Sequence, residues 1–155
     1  MNQLLHVSAS PHIKDRVTTS SIMLDVIIAL IPATLFGIIQ FKINALLIIV
    51  TTITTCVLAE YLYERFMKKT ITIKDLSAVV TGLILALNLP STVPLWLPAI
   101  GGLFAIIVVK QFYGGLGQNF MNPALAARCF LLISFTGRMT NFVFDGMTSS
   151  TPLAI

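Results

Sequence analysis

The sequence predicts an all-α integral membrane protein of about five transmembrane or half-membrane helices, some of them short and interrupted by proline. Three observations carry that reading. Hydrophobic residues make up 56% of the chain and charged residues only 10%, against about 25% charged in soluble domains, and the mean hydropathy is +0.92. The apolar residues lie in long uncharged runs rather than on alternating faces, which a soluble domain of 155 residues has no means to bury. Several of the later runs are too short to cross a bilayer as straight helices and have prolines between them. The formal charge of +4 is scattered through the gaps between runs and forms no continuous basic patch, which argues against nucleic-acid binding.

Residues 1–21 hold His6, Pro11, His12, Lys14, Asp15 and Arg16 and have no short apolar stretch ending in a cleavage site. They read as a cytoplasmic leader rather than a secretory signal. The first apolar run, residues 22–41, has about the twenty residues a membrane helix needs. Thr19, Ser20 and Ser21 are its expected caps. Asp25 is expected in its first turn, where an acid favours the helix dipole, and Pro32 is expected to kink it. The second run, residues 43–63, follows with only Lys42 and Asn44 strongly polar between the two, which predicts a tight antiparallel pair. Thr51, Thr52, Thr54 and Thr55 are expected to return hydroxyl hydrogen bonds to their own helix. Glu60, Tyr61 and Tyr63 read as interfacial anchors at its exit. The segment after them supplies Arg65, Lys68, Lys69 and Lys74, the densest basic group in the chain, and the positive-inside rule puts it on the cytoplasmic side with the leader.

Residues 76–89 and 95–109 are apolar but short, each roughly 21 to 22 Å as a helix against a hydrocarbon core of about 30 Å. Asn88, Pro90, Ser91, Thr92 and Pro94 stand between them, Pro98 follows, and Gly82 lies within the first. Such segments predict broken or re-entrant helices lining a protein-enclosed cavity. Lys74 and Lys110 bracket this hairpin, so both its ends are expected on the cytoplasmic side. Gly114, Gly115 and Gly117 then permit positive φ, and Asn122 before Pro123 is a cap-plus-first-turn signal for the next helix. A glycine-rich loop entering a helix N-terminus can hold an anion or a polar ring edge, and a plain interhelical turn accounts for it equally. The helix, residues 123–135, carries Arg128 near its middle, a candidate site residue because a lipid-exposed guanidinium is costly. Cys56 and Cys129 both lie in apolar runs and read as buried free thiols without metal-ligand spacing.

The chain thus divides into a leader (1–21), a membrane domain (22–136) and a terminal loop (137–155), which is extracytoplasmic if residues 123–135 cross the membrane. The loop contains Asp145, Gly146, Met147, Thr148, Ser149, Ser150, Thr151, Pro152 and Leu153 in succession. Taken by itself it is a turn, since Asp-Gly permits a tight bend and hydroxyls satisfy backbone groups locally. No histidine, lysine or second carboxylate stands close by to activate a hydroxyl, so Thr151 reads as an acceptor modified by another enzyme rather than as a nucleophile that acts alone.

That stretch resembles the flavin-attachment motif, broadly Asp-Gly-x-[Ser/Thr]-[Gly/Ser]-[Ala/Ser]-Thr-Pro-Leu, of the D subunit of Rnf electron-transport complexes, a family that includes the B subunit of Na⁺-translocating NADH:quinone reductases. Two further stretches carry the resemblance: Asp75-Leu76-Ser77-Ala78-Val79-Val80-Thr81-Gly82 continuing to Ala86-Leu87-Asn88-Leu89-Pro90, and Gly114-Gly115-Leu116-Gly117 continuing to Asn122-Pro123-Ala124. The short leader is more similar to the Rnf D subunit than to the quinone-reductase subunit, and Ser150 stands where alanine is common.

The resemblance implies FMN held covalently on Thr151 as a phosphoester by a dedicated flavin transferase, with Thr148, Ser149 and Ser150 hydrogen-bonding the phosphodiester and Gly146 allowing close backbone approach. Arg128 and the loop at residues 114–117 are looser candidates for lining an electron or ion path. It implies an electron-transfer subunit rather than a stand-alone enzyme, in the inner (cytoplasmic) membrane, partnered by the other membrane and peripheral Rnf-type subunits, in a complex that passes electrons between ferredoxin and NAD⁺ and exports Na⁺ or H⁺. Full-length members continue through a second, related set of membrane helices and can carry a second, non-covalent flavin such as riboflavin. This sequence is expected to be the first of two such repeats. A quinone-reductase B-type subunit, or half of a non-redox transporter or channel, are the competing readings of the same broken helices.

Overall fold

A computed structural model describes residues 18–144 and 147–149. The leader and the positions Asp145, Gly146, Ser150 and Thr151 lie outside the described residues. Within them the regular secondary structure is helical apart from one small hairpin.

Helix α1, Thr19–Phe66, is 48 residues long, about 72 Å if straight. It is not straight. Lys42 has φ 54 and ψ −135, the single non-helical pair of dihedrals inside it, and the exposed polar junction expected from the sequence is where the backbone turns. Thr19 and Glu64, at opposite ends of α1, line one cavity, so the two arms, residues 19–41 and 43–66, fold back on each other. Pro32 sits inside the first arm without a break in its helical dihedrals. The cap is Thr18 rather than Thr19 to Ser21: its hydroxyl accepts from the Ser21 N–H at 3.3 Å. That earlier start leaves Asp25 beyond the first turn and exposed, away from the unpaired N–H groups that would have favoured it.

A 3₁₀ turn at Ile73–Asp75 leads to α2, Ser77–Leu87. After the proline-rich turn comes α3, Trp96–Leu103, which runs on as a π-helix, Phe104–Gln111. Helix α4, Pro123–Ser134, starts as the Asn-Pro pair predicts: the Asn122 side chain accepts from the Ala124 N–H at 3.0 Å and Pro123 occupies the first turn. A break at Phe135 separates it from the short α5, Thr136–Met139. Strands β1, Phe142–Phe144, and β2, Met147–Ser149, pair antiparallel, with Phe144 opposite Met147 on either side of the Asp-Gly pair.

All the buried residues of α1 belong to its second arm. That arm is the post around which α2, α3 and α4 pack. Ile48, Ile49, Leu83, Ala86, Val93, Leu97, Leu131 and Met139 form one core cluster, and Cys56, Ala59, Ala78 and Ile106 another. At Gly82 α2 lies against the arm's backbone: a Cβ there would stand 2.9 Å from the Ile53 Cα, so only glycine lets α2 lie this close. Thr51, Thr52, Thr54 and Thr55 all donate to carbonyls of their own helix at 2.6–3.0 Å, as expected.

The bundle has two distinct ends. At the first, here termed the basic end, Ser20 donates to the Lys74 carbonyl at 3.1 Å, Arg65, Lys68, Lys69 and Lys74 are exposed, and Lys69 shares a cavity with Gly114 and Gly115 of the 112–122 loop. At the other, the hairpin end, the neighbourhood of Lys42 meets the 88–95 turn, which in turn meets the segment after α4. Gly37, Phe41, Ala45 and Ser91 share one pocket there, the Trp96 and Phe135 rings meet edge to face at 5.2 Å, and Thr92 Oγ1 donates to the Asn141 carbonyl at 2.9 Å.

Candidate functional site

The hydroxyl-rich segment springs from the hairpin end. Asn141, held by Thr92, immediately precedes β1, and the strand register sets Thr148 opposite Val143 and Ser149 opposite Phe142. The sheet has two strands, so among the described residues the outer edge of β2 is unpaired and its backbone is open to a ligand or a partner. Gly146, Ser150 and Thr151 lie outside the described residues.

A second polar site, at the basic end, is one the sequence did not announce. Glu60 does not anchor α1 at an interface. It is fully buried, and its Oε1 accepts from the Lys110 ammonium and from Gln111 Nε2 at 3.2 Å. Lys110, expected at the membrane surface, is 2% exposed and also donates to Ser77 Oγ at 2.7 Å. The π-helix accounts for this placement: Phe112 N–H reaches back five residues to the Ile107 carbonyl at 3.1 Å, and the wider turn brings the consecutive residues Val109, Lys110 and Gln111 all inward. The Lys110–Ser77 bond also shows that both ends of the 77–111 hairpin lie at the same end of the bundle, as the bracketing lysines predicted. Glu60 Oε2 has no hydrogen-bond partner. One turn along, Glu64 is buried and accepts from the Thr72 N–H at 3.0 Å and from its hydroxyl, which ties the basic loop to α1.

The glycine-rich loop lies beside this network. Gly114, Gly115 and Gly117 have φ of 113, 101 and 85, the left-handed region their residue type allows. A cavity of about 140 Å³ is lined by Ser77, Lys110, Asn119 and Asn122 among others, and Asn119 Oδ1 is buried without a partner.

Arg128 is exposed on α4 and donates to Asn88 Oδ1 at 2.8 Å. Asn88 in turn donates to the Ile84 carbonyl at 2.8 Å, so it closes the end of α2 while holding the guanidinium. The guanidinium is thus engaged by α2 rather than by the described part of the hydroxyl segment, and the 114–117 loop belongs to the basic end rather than the hairpin end. Cys56 is buried, with its thiol 3.9 Å from the Gly102 carbonyl. Cys129 departs from expectation: it is exposed, because α4 turns that face away from the core. Among the described residues no group of histidine, cysteine and carboxylate side chains is arranged to hold a metal ion.

The sequence matches the model of the NQR2, RnfD, RnfE family over residues 6–155. It is 49% identical to the D subunit of the Na⁺-translocating ferredoxin:NAD⁺ oxidoreductase complex of Acetobacterium woodii, over the whole of this chain and 50% of that protein. It is 42% identical to the D subunit of the proton-translocating ferredoxin:NAD⁺ oxidoreductase complex of Clostridium ljungdahlii, over 96% of this chain and 47% of that protein. A third relative, the D subunit of the ion-translocating oxidoreductase complex of Shewanella denitrificans, is 42% identical over 88% of this chain and 40% of its own length. The chain therefore spans about half the length of the curated relatives it matches.

Proposed function

Since the chain belongs to the NQR2, RnfD, RnfE family, we propose that it is the membrane-embedded N-terminal half of the D subunit of an ion-translocating ferredoxin:NAD⁺ oxidoreductase, and that Thr151 carries covalent FMN. The observation that carries this reading is the family match over residues 6–155, which includes the nine-residue motif ending in Thr151-Pro152-Leu153. The relatives named as D subunits of such complexes support the electron-transfer role, with the remaining subunits of the complex as partners and a flavin transferase as the modifying enzyme.

The donor set suits a phosphodiester. From Gly146 to Thr151 the segment offers hydroxyls and backbone N–H groups, and the motif's one carboxylate, Asp145, stands six positions before Thr151. When bound, the flavin supplies one- and two-electron redox chemistry that no side chain has. The residues of this chain supply the tether and its orientation. Thr151 would hold the group through its side-chain oxygen, Thr148, Ser149 and Ser150 would donate to the phosphate oxygens, and Gly146 would admit the backbone. A tether also keeps the cofactor at high effective concentration at the membrane surface.

The membrane reading draws on α1, which contains an 18-residue window of mean hydropathy 2.5 with none of that window buried by protein. Each arm, at roughly 33 to 36 Å, is long enough for the hydrocarbon core. The cations at the basic end favour the cytoplasmic side, and the hairpin end, with Thr151 beyond it, then faces outward.

Co-expression of the full-length subunit with a flavin transferase, followed by a denaturing gel, tests the cofactor. The wild-type band is expected to fluoresce as flavin and the Thr151→Ala band to be dark. A dark wild-type band overturns the flavoprotein reading and returns the broken helices to a non-redox transporter.

A further inference from the structure

Helix α4 has one face turned into the protein and one left open. Ala124, Ala127 and Leu131 are fully buried. Leu125 and Leu132 are 48% and 38% exposed, with Arg128 and Cys129 exposed between them. The spacing of 125, 128, 129 and 132 sets these four residues on a single stripe. An apolar groove of about 520 Å³, bordered by Phe104, Val108, Leu125, Cys129 and Phe130, runs beside it. The stripe is apolar except for one cation at its centre.

Among the described residues that cation has no counter-charge. Its hydrogen-bond partner is the neutral amide of Asn88, and among the described residues no carboxylate lies within ion-pair distance of it. Of the four described carboxylates, Asp25 lies in the first two turns of α1 and Glu60, Glu64 and Asp75 belong to the basic end, where Glu60 and Glu64 are already engaged. A lipid chain satisfies leucines and phenylalanines but gives a guanidinium nothing, so the stripe asks for an apolar occupant with an acid set within it. The relatives of this chain are about twice its length, and the additional half is the segment at hand to supply such an occupant.

We propose that the open stripe of α4 and its groove seat a helix from the C-terminal half of the full-length subunit, and that this helix brings a carboxylate to Arg128. Asn88 then acts as a positioning residue, fixing the guanidinium with one N–H so that the others face the incoming acid. The inference rests on the reading of the chain as a membrane-embedded half-subunit and not on the flavin.

The test uses the full-length subunit in native membranes, with the photo-crosslinking amino acid benzoylphenylalanine at position 125 or, separately, 132. Illumination and peptide mapping are expected to join either position to a peptide of the same polypeptide beyond residue 155. Cross-links to lipid alone, or to another subunit alone, overturn the proposal. In the same samples Cys129 is expected to react with a membrane-permeant maleimide at least tenfold more slowly than after denaturation, and equal rates count against a seated helix. Arg128→Gln is expected to reduce the cross-link yield several-fold and to lower the thermal midpoint, with Arg128→Lys recovering part of both. No change in Arg128→Gln removes the ion pair from the proposal, and an equal loss in Asp145→Asn assigns the carboxylate to this half instead. Gel fluorescence of the flavin reports on Thr151 independently, so either reading can fail without the other.

Discussion

Lys110 and Arg128 are both cations set on apolar helices, and the fold treats them in opposite ways. Lys110 is enclosed: a carboxylate from α1 and a hydroxyl from α2 meet its ammonium, and Gln111 shares the same carboxylate oxygen. Arg128 is open, with one neutral amide and an exposed face. The difference follows from position. Lys110 lies where the second arm of α1, α2 and the π-helix converge, so the charge must be neutralised within the unit. Arg128 lies on the exposed face of α4, where counter-charge can come from elsewhere. The Lys110 charge is therefore neutralised within this half, while the stripe on α4 is not.

The largest expected effect breaks the closed site. Glu60→Ala or Lys110→Ala strands a buried charge and is expected to cost about 3–5 kcal/mol, whereas replacing both with apolar residues of similar volume is expected to be near neutral. Thermal or denaturant unfolding of the full-length subunit in detergent measures both. A single substitution that costs less than about 1 kcal/mol would show water reaching the pair and remove the contrast with Arg128.

How much of this was legible in the sequence depends on whether the signal was local. The break at Lys42, the threonine hydroxyls turned back on their own helix, the Asn122-Pro123 start and the positive φ of the loop glycines each depend on a few adjacent residues, and each appears as expected. The Glu60–Lys110 pair spans 50 positions. Each partner has a neighbourhood that reads as interface, Glu60 beside Tyr61 and Tyr63 and Lys110 at the end of an apolar run, so local reasoning sent both to the surface. The available signal was one acid and one base at the ends of two apolar runs that the charge rule sends to the same side. The π-helix that turns Lys110 inward has no such local mark. The exposure of Cys129 was hidden for another reason: α4 carries apolar residues on every side, and hydropathy alone does not say which apolar face the protein covers.

Two glycines on α1 and its neighbour carry the comparison to packing. Gly82 abuts the Ile53 backbone, while a Cβ at Gly37 on the first arm meets nothing within 4 Å. Gly82→Ala is expected to push α2 off the post at a cost of about 1–3 kcal/mol. Gly37→Ala adds a methyl group in open space and removes backbone freedom, and is expected to stabilise by about 0.5–1 kcal/mol. The signs should therefore be opposite in the same unfolding experiment. Loss of stability at Gly37 in the full-length subunit would identify the uncovered first arm as a second contact surface and make it comparable with the stripe on α4.

The smallest effect separates the two asparagines that serve α4. Asn122 caps its first turn by accepting from Ala124 N–H, a role whose loss to alanine typically costs about 1 kcal/mol. Asn88 holds Arg128 from the neighbouring helix and closes the end of α2. If the cap only starts the helix, Asn122→Ala lowers the unfolding free energy by about 1 kcal/mol and leaves maleimide labelling of Cys129 unchanged, because the outer stripe keeps its register. Asn88→Ala is expected to cost a similar amount, since it too loses a helix-end hydrogen bond of about 1 kcal/mol, but to raise Cys129 labelling as the guanidinium loses its orientation. Equal labelling in the two variants would mean that Asn88 is no more than an end-cap, and that Arg128 finds its partner without being positioned.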